Sequence, residues 1–396
     1  MFEKKFNDKE KFLISVLTHI DFLDCNKIKS LFTSIGSNSL YLACKENKID
    51  SIAADSLIKC LGKKNLSSEW INSFSKEDIR IKSYMDELEN VAKYFLKHGI
   101  DLIALKNSGI TKGIYKRCAA SPMGDIDVLV QKKDFMAAHE LLLAKGYKLK
   151  FRSKLEKDDI EEAFLGGGSE YYTILKDGEK LWFELQWRSV AGRWITPDQE
   201  PSTDELFSRS KRIKGSAVRL LSPEDNLLQV CLHTAKHSFV RAPGFRLNTD
   251  VDRIVRESSV DWKKFESMVS DMKVKTPVFF SLKIAKELVR TPIPENILNA
   301  LSPSKVKILF VSKWLTRVGI FDPDGKKWTK IGYIIFVSLL YDSIFDFLDS
   351  IFPDKKWMID RYKVRFSILL PFYYILRITN LLFKRALNSK TSKKNN

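Results

Sequence analysis

Residues 124–130 read GDIDVLV. Two aspartates stand two positions apart in a run that otherwise has the character of a buried strand. Alternate residues of a strand share a face, so Asp125 and Asp127 project side by side while Ile126 and Val128 point the other way. Neighbouring carboxylates repel, and burial adds to the cost unless a cation lies between them. Mg²⁺ takes oxygen ligands, and a D-x-D on a strand suits the paired ions, about 4 Å apart, of phosphoryl-transfer sites. The alternative is a strand end whose acids pair with lysine or arginine. Gly124 allows a close turn before the pair, and three uninterrupted apolar residues follow it. That context favours side chains at a strand start that reach a cleft.

Outward from this stretch the pattern is that of a mixed sheet flanked by helices. On the N-terminal side, MDELENVAKYFLKHG (85–99) repeats its apolar residues at helical spacing and ends at Gly99, and IDLIAL (100–105) reads as a short buried strand. SGITKGIYKR (108–117) predicts a short helix, and CAASPMG (118–124) a loop. On the C-terminal side, KKDFMAAHELLLAKGY (132–147) is an amphipathic helix closed by Gly146, and YKLKF (147–151) is a third strand. EYYTIL (170–175) and KLWFELQW (180–187) predict an antiparallel pair across the turn KDGE.

A third acid would complete a metal site. Alternation on KLWFELQW puts Phe183, Leu185 and Trp187 on one face and Glu184 with Gln186 on the other. An acid in the middle of so aromatic a strand is the leading candidate, with Glu170 a weaker one. A solvated edge-strand face is the competing reading of Glu184.

The whole chain has 396 residues, 44% hydrophobic and 29% charged, with net charge +18. Those values exclude a disordered chain and favour anionic partners, whether nucleotides, nucleic acid or an acidic membrane face. Residues 1–97 read as an N-terminal helical region and 98–220 as the α/β core. Residues 221–300 read as a helical domain on that core, starting at the N-cap signal Ser222-Pro223, and 301–396 as C-terminal helices with a basic disordered tail, NSKTSKKNN. The fold class is α+β with a mixed sheet. Five cysteines without C-x-x-C spacing imply neither a zinc nor a disulfide framework. MFEKKFNDKEKF lacks the apolar stretch of a signal peptide, so the expected compartment is the cytoplasm. Two apolar stretches, 331–341 and 365–385, fall short of about 20 uninterrupted apolar residues. They read as core helices, with peripheral contact at the inner membrane face as the alternative.

Other motifs carry weaker signals. His233 and His237 lie one helical turn apart and suit packing, a substrate contact or, given a third ligand, zinc. Asp250 is expected to cap or pair with that helix. GGGSEYY (166–172) lacks a P-loop ending and reads as a flexible loop, with a lid over the cleft as the sharper reading. Lys112, Lys116 and Arg117 form either a solvated face or a cationic edge to a triphosphate.

Taken in order, HGIDLIALKNSGITKGIYKR, SPMGDIDVLVQKKDFMAAHELLLAKGYKL, LWFELQW, LSPEDNLLQVCLHTAKHSF, RLNTDVDRIV and DWKKF resemble the uncharacterised bacterial nucleotidyltransferases of the DNA polymerase beta-like superfamily. The resemblance spans roughly residues 30–300. It implies a polymerase beta-like core in which Asp125 and Asp127 hold two Mg²⁺, or Mn²⁺, and Glu184 is the third carboxylate. It implies that Lys106 and Ser108 touch the triphosphate, with Gly124 at the turn completing the nucleotide-binding set. The chain departs from the family pattern at three places. Lys106-Asn107 stands for Lys-Gly, Ala120-Ser121-Pro122 stands where many relatives have an arginine, and Glu184-Leu185-Gln186-Trp187 stands for Asp-Leu-His-Trp.

The expected activity is metal-dependent transfer of an NMP group from an NTP, ATP foremost, to an acceptor hydroxyl with release of pyrophosphate. A small molecule, a sugar, a protein or an RNA would fit as acceptor. Two other readings stand beside it: a nucleotide-binding regulator without turnover, favoured by the departures above, and a basic protein that binds RNA or a membrane surface.

Overall fold

A computed structural model describes residues 6–153, 158–175, 178–190 and 195–379. Part of the KDGE turn and the tail NSKTSKKNN lie outside them. Seven strands form one mixed sheet: β1 (Leu102–Ala104), β2 (Ile126–Leu129), β3 (Lys148–Leu149), β4 (Gly168–Ile174), β5 (Lys180–Gln186), β6 (Lys211–Arg212) and β7 (Val218–Leu220). Their order is β3-β4-β5-β2-β1-β7-β6. β2 lies at the centre, antiparallel to β1 and parallel to β5. β4 and β5 form the antiparallel pair expected from their alternation.

The alternation of β2 and β5 decides which way the sheet faces. Ile126, Val128, Phe183 and Leu185 are buried together with apolar residues of two helices, α5 (Ser68–Lys97) and α7 (Phe135–Ala144). Each such apolar side chain contributes on the order of 1.5–3 kcal/mol. With one face of the sheet secured in this way, the other is free to carry acids. α5 is the longest helix among the described residues, 30 residues or about 45 Å. Trp70 near its start belongs to a second core, while Ile81 to Phe95 line the sheet.

That second core unites both ends of the chain. The helices α1 (Asp8–Leu17), α2 (Cys25–Ile35), α3 (Ser37–Glu46) and α4 (Asp50–Leu61) share it with α10 (Pro223–Lys236), α11 (Leu247–Glu257), α12 (Trp262–Asp271), α13 (Lys275–Val289) and α14 (Glu295–Leu301). Of the N-terminal helices, α5 braces the sheet by packing on β1 and β7. α10 starts as its sequence signals: the Ser222 hydroxyl accepts from the Asp225 amide at 3.2 Å, with Pro223 at the first helical position. Shorter helices, α6 (Lys106–Gly109), α8 (Ile160–Gly166) and α9 (Thr203–Arg209), join the strands.

Two expectations need correction. Gly166 closes α8, Gly167 caps it at φ +98°, and Gly168 opens β4, so GGGSEYY is a helix-to-strand junction rather than a flexible loop or lid. Cys25 and Cys60 form a disulfide between α2 and α4, with Cα atoms 5.0 Å apart. Their sequence separation of 35 hid a contact that only helix packing creates. At the C-terminus, α15 (Lys305–Val318), α16 (Lys330–Ser338), α17 (Ile344–Ile351) and α18 (Lys355–Tyr362) follow. No helix of the described residues is long and apolar enough to cross a membrane.

Candidate active site

The parallel register of β2 with β5 sets Asp127 directly beside Glu184. Asp125 precedes β2 by one residue. Carboxylate oxygens from Asp125, Asp127 and Glu184 all lie within 4.8 Å of one another. Glu170 faces Glu184 across the β4–β5 register. Four acids on three neighbouring strands repel, and like charges directly opposite destabilise a sheet.

Two cations offset them. Lys106 Nζ donates to Asp127 Oδ1 at 2.5 Å and to Glu184 Oε2 at 3.2 Å. Arg152 pairs with Asp125 through Nη2 and with Glu170 through Nε at 3.0 Å. The Glu170 carboxylate also accepts from the Arg152 backbone amide at 2.8 Å, which ties it to arginine rather than to the trio. Gln186 Nε2 donates to Asp127 Oδ1 at 3.2 Å.

The backbone supports these positions. Lys106 opens α6 at φ +50°, a conformation uncommon for a residue with a side chain. It turns the chain sharply from β1 and aims the ammonium back at β2. Gly109 allows α6 to lie on β1, since a Cβ there would sit 2.6 Å from the Ala104 carbonyl oxygen. Ser108 is fully buried, and its hydroxyl accepts from the Asp127 amide at 2.9 Å. As packed, that hydroxyl fixes the strand that carries Asp127 and is not turned toward open space. Asn107 follows Lys106 where the family pattern has glycine, and its Oδ1 is buried without a hydrogen-bond partner.

Burial and mutual repulsion act on the trio against its cations. Burial pushes the Asp127 carboxyl well above its ordinary range, and Asp125 and Glu184 add to the rise against Lys106. Burial would also raise Glu184, but Lys106, its hydrogen bond with Asp127, and Lys236 hold it low. Burial would lower Lys106, yet Asp127, Glu184 and Asp125 outweigh it and hold its ammonium charged. Lys106 thus serves Asp127 and Glu184 together, while Arg152 is the partner of Asp125. The trio's donor set is all oxygen, the chemistry that Mg²⁺ and Mn²⁺ prefer, so the residues fit a divalent-ion site.

Other expected residues lie apart from the trio. Lys112 pairs with Glu89 of α5 at 3.0 Å, and Arg117 pairs with Asp55 of α4, its Nε 2.9 Å from Oδ2. Both brace helices rather than edge a triphosphate site. The His233 and His237 rings stack edge-on at 4.8 Å. Among the described residues no metal-ligating group contains them, so zinc has no third ligand there. Asp250 pairs with Arg253 of its own helix at 3.7 Å. Sequence reasoning missed Arg152, Gln186 and Lys236. Gln186 was accessible, since alternation already put it on the face of Glu184. Arg152 and Lys236 had no local signal because the tertiary fold brings them in.

Residues 34–290 match a family described as uncharacterised nucleotidyltransferase, well over half of the chain. The chain belongs to this nucleotidyltransferase family. No curated protein and no solved structure matches it. The span shared with the family runs from the end of α2 to the end of α13, so it contains the sheet, the acid trio, Lys106, Arg152 and Lys236. The nucleotidyltransferase thus takes a nucleoside triphosphate as substrate, and the trio is its candidate metal site.

Proposed function

We propose that this nucleotidyltransferase moves the NMP group of an NTP, with ATP as the expected donor, to an acceptor hydroxyl. The observation that supports this best is the meeting of Asp125, Asp127 and Glu184 within 4.8 Å on one face of the sheet. These three would hold divalent ions, Mg²⁺ or alternatively Mn²⁺, whose contribution when bound is to offset phosphate charge. The acceptor oxygen bonds to the α-phosphorus, the bond from that phosphorus to the α–β bridging oxygen breaks, and pyrophosphate leaves. Glu184, kept ionised by Lys106 and Lys236, accepts the hydroxyl proton. Lys106 donates to the β and γ phosphates. Ser108 acts indirectly, through the Asp127 amide, and Gly124 lets the phosphates approach the turn.

Incubation with labelled NTPs and cell extract tests this reading. Wild-type protein should yield a labelled product, and the Asp125→Ala, Asp127→Ala double variant should yield none. Equal labelling by the two would refute the assignment.

A second property concerns the C-terminal helices. Of 23 exposed large apolar residues among the described ones, 15 lie between Val306 and Ile375. Single exposed apolar residues are ordinary, but a concentration of them marks an interaction surface. Combined with net charge +18, it favours peripheral docking on an anionic membrane. Sedimentation should then occur with phosphatidylglycerol vesicles and not with phosphatidylcholine ones. Failure to sediment with either rules it out.

A further inference from the structure

A cleft of 560 Å³ opens between α3, the start of α4, α5 and the Pro122–Gly124 turn that precedes Asp125. Five cations line it, Lys45, Lys48, Lys76, Arg80 and Arg246, against two acids, Asp50 and Glu77. Both acids are already engaged, Asp50 by the Ser73 hydroxyl and Glu77 by Arg80, whose Nε lies 3.0 Å away. Lys45 and Lys76 are exposed and form no ion pair among the described residues. Arg246 gives one nitrogen to the Pro122 carbonyl, but its Nε is buried with no hydrogen-bond partner. A buried, unpartnered guanidinium nitrogen is costly unless a ligand completes it.

The cleft is tied to the chemistry. Arg80 donates to the Met123 carbonyl at 2.8 Å and Arg246 to that of Pro122, so two of its cations hold the turn that delivers Asp125. The cleft's size suits a ligand of sugar-phosphate dimensions. Its lining includes neither the trio nor Lys106 and shares only Gly124 with the residues proposed to meet the triphosphate, so the two ligands would adjoin at that turn.

We infer that this cleft binds a phosphate group of the acceptor, so that the acceptor is a phosphorylated molecule with a free hydroxyl. The inference rests on the nucleotidyltransferase reading for the word acceptor, and on the cleft alone for its anion. The phosphate anchors to Lys45, Lys76 and Arg246, and the hydroxyl reaches past Gly124 toward Glu184.

Calorimetric titration with inorganic phosphate, glucose 6-phosphate and Mg·ATP tests it on three proteins. Phosphate and glucose 6-phosphate should bind wild type and the Asp125→Ala, Asp127→Ala variant alike, and should bind Lys45→Ala, Lys76→Ala about tenfold more weakly. Mg·ATP should show the reverse dependence and should not compete with phosphate. Both lysines are exposed, so their variant folds. Unchanged phosphate binding by the lysine variant overturns the inference. So does loss of Mg·ATP binding in that variant together with competition by phosphate, because the cleft would then belong to the triphosphate. Phosphate binding that follows the lysines while no protein binds Mg·ATP keeps the anion site and removes the nucleotidyl-transfer reading.

Discussion

Lys106 Nζ lies 2.5 Å from Asp127 Oδ1, on an ammonium that also reaches Glu184. A lysine at this position supplies the positive charge that the carboxylates require in the resting protein. It also means that the trio's charge is balanced by a side chain that must yield to, or be joined by, any further cation.

Replacing Lys106 by methionine should therefore destabilise the fold by about 3 kcal/mol or more, since it leaves buried carboxylates unpaired. The loss should be smaller with saturating Mn²⁺ than with EDTA, because the ion takes over the charge. Urea melts in the two conditions measure it. An identical loss in both would mean that no ion enters.

Gly109→Ala should cost about 1–3 kcal/mol and weaken nucleotide binding. The new methyl would meet the Ala104 carbonyl oxygen at 2.6 Å, and the backbone of β1 cannot move aside. α6 must lift, and Lys106 with it. Gly166→Ala is the control, with nothing within 4 Å. Equal melting temperatures for the two variants would contradict the packing described.

The Cys25–Cys60 bond closes a loop of about 36 residues, for which loop-closure entropy gives about 3–4 kcal/mol. Cys25→Ser with Cys60→Ser should lower unfolding free energy by an amount of this order and leave nucleotide binding unchanged, because α2 and α4 do not carry the trio. Denaturant melts and Mg·ATP titration report the two separately.

Stability should respond to acid through α10. Burial, with Lys236, Lys106 and Arg241 nearby, lowers His237 from 6.5 to about 4, although the Ala242 backbone hydrogen bond opposes it. Between those values the unfolded chain binds a proton that the folded one refuses. His237 thus costs up to roughly 3 kcal/mol as pH falls from 6.5 to 4. Asp250 acts oppositely. Burial raises it from 3.8 to about 6, so it costs stability as pH rises through that range. Because the two partly cancel in wild type, the readout is the difference between wild type and His237→Gln. The variant should gain relative stability as pH falls through this window, and a pH-independent difference would contradict the assignment.

Much of the fold follows from two-residue alternation. Ile126 with Val128, and Phe183 with Leu185, point to the core, so Asp127 and Glu184 had to share the other face once β2 and β5 were neighbours. The neighbour relation itself came from resemblance, because parallel pairing leaves no local mark. Arg152, Lys236 and the cleft cations are separated from the trio by long stretches of chain and come close only through packing. The same holds for Cys25 and Cys60. The resemblance implies that Ser108 touches the triphosphate, whereas its contact with the Asp127 amide depends on how tightly α6 lies on β1 and leaves no mark in the sequence.

Mn²⁺ binding followed by electron paramagnetic resonance tests the central claim most directly. Wild type should bind Mn²⁺, more tightly with ATP present, and Asp125→Asn with Asp127→Asn should abolish that binding while the protein stays folded. Equal Mn²⁺ binding by wild type and the double variant, or none by wild type with ATP, would show that Lys106 is the trio's permanent partner and that the site does not serve nucleotidyl transfer.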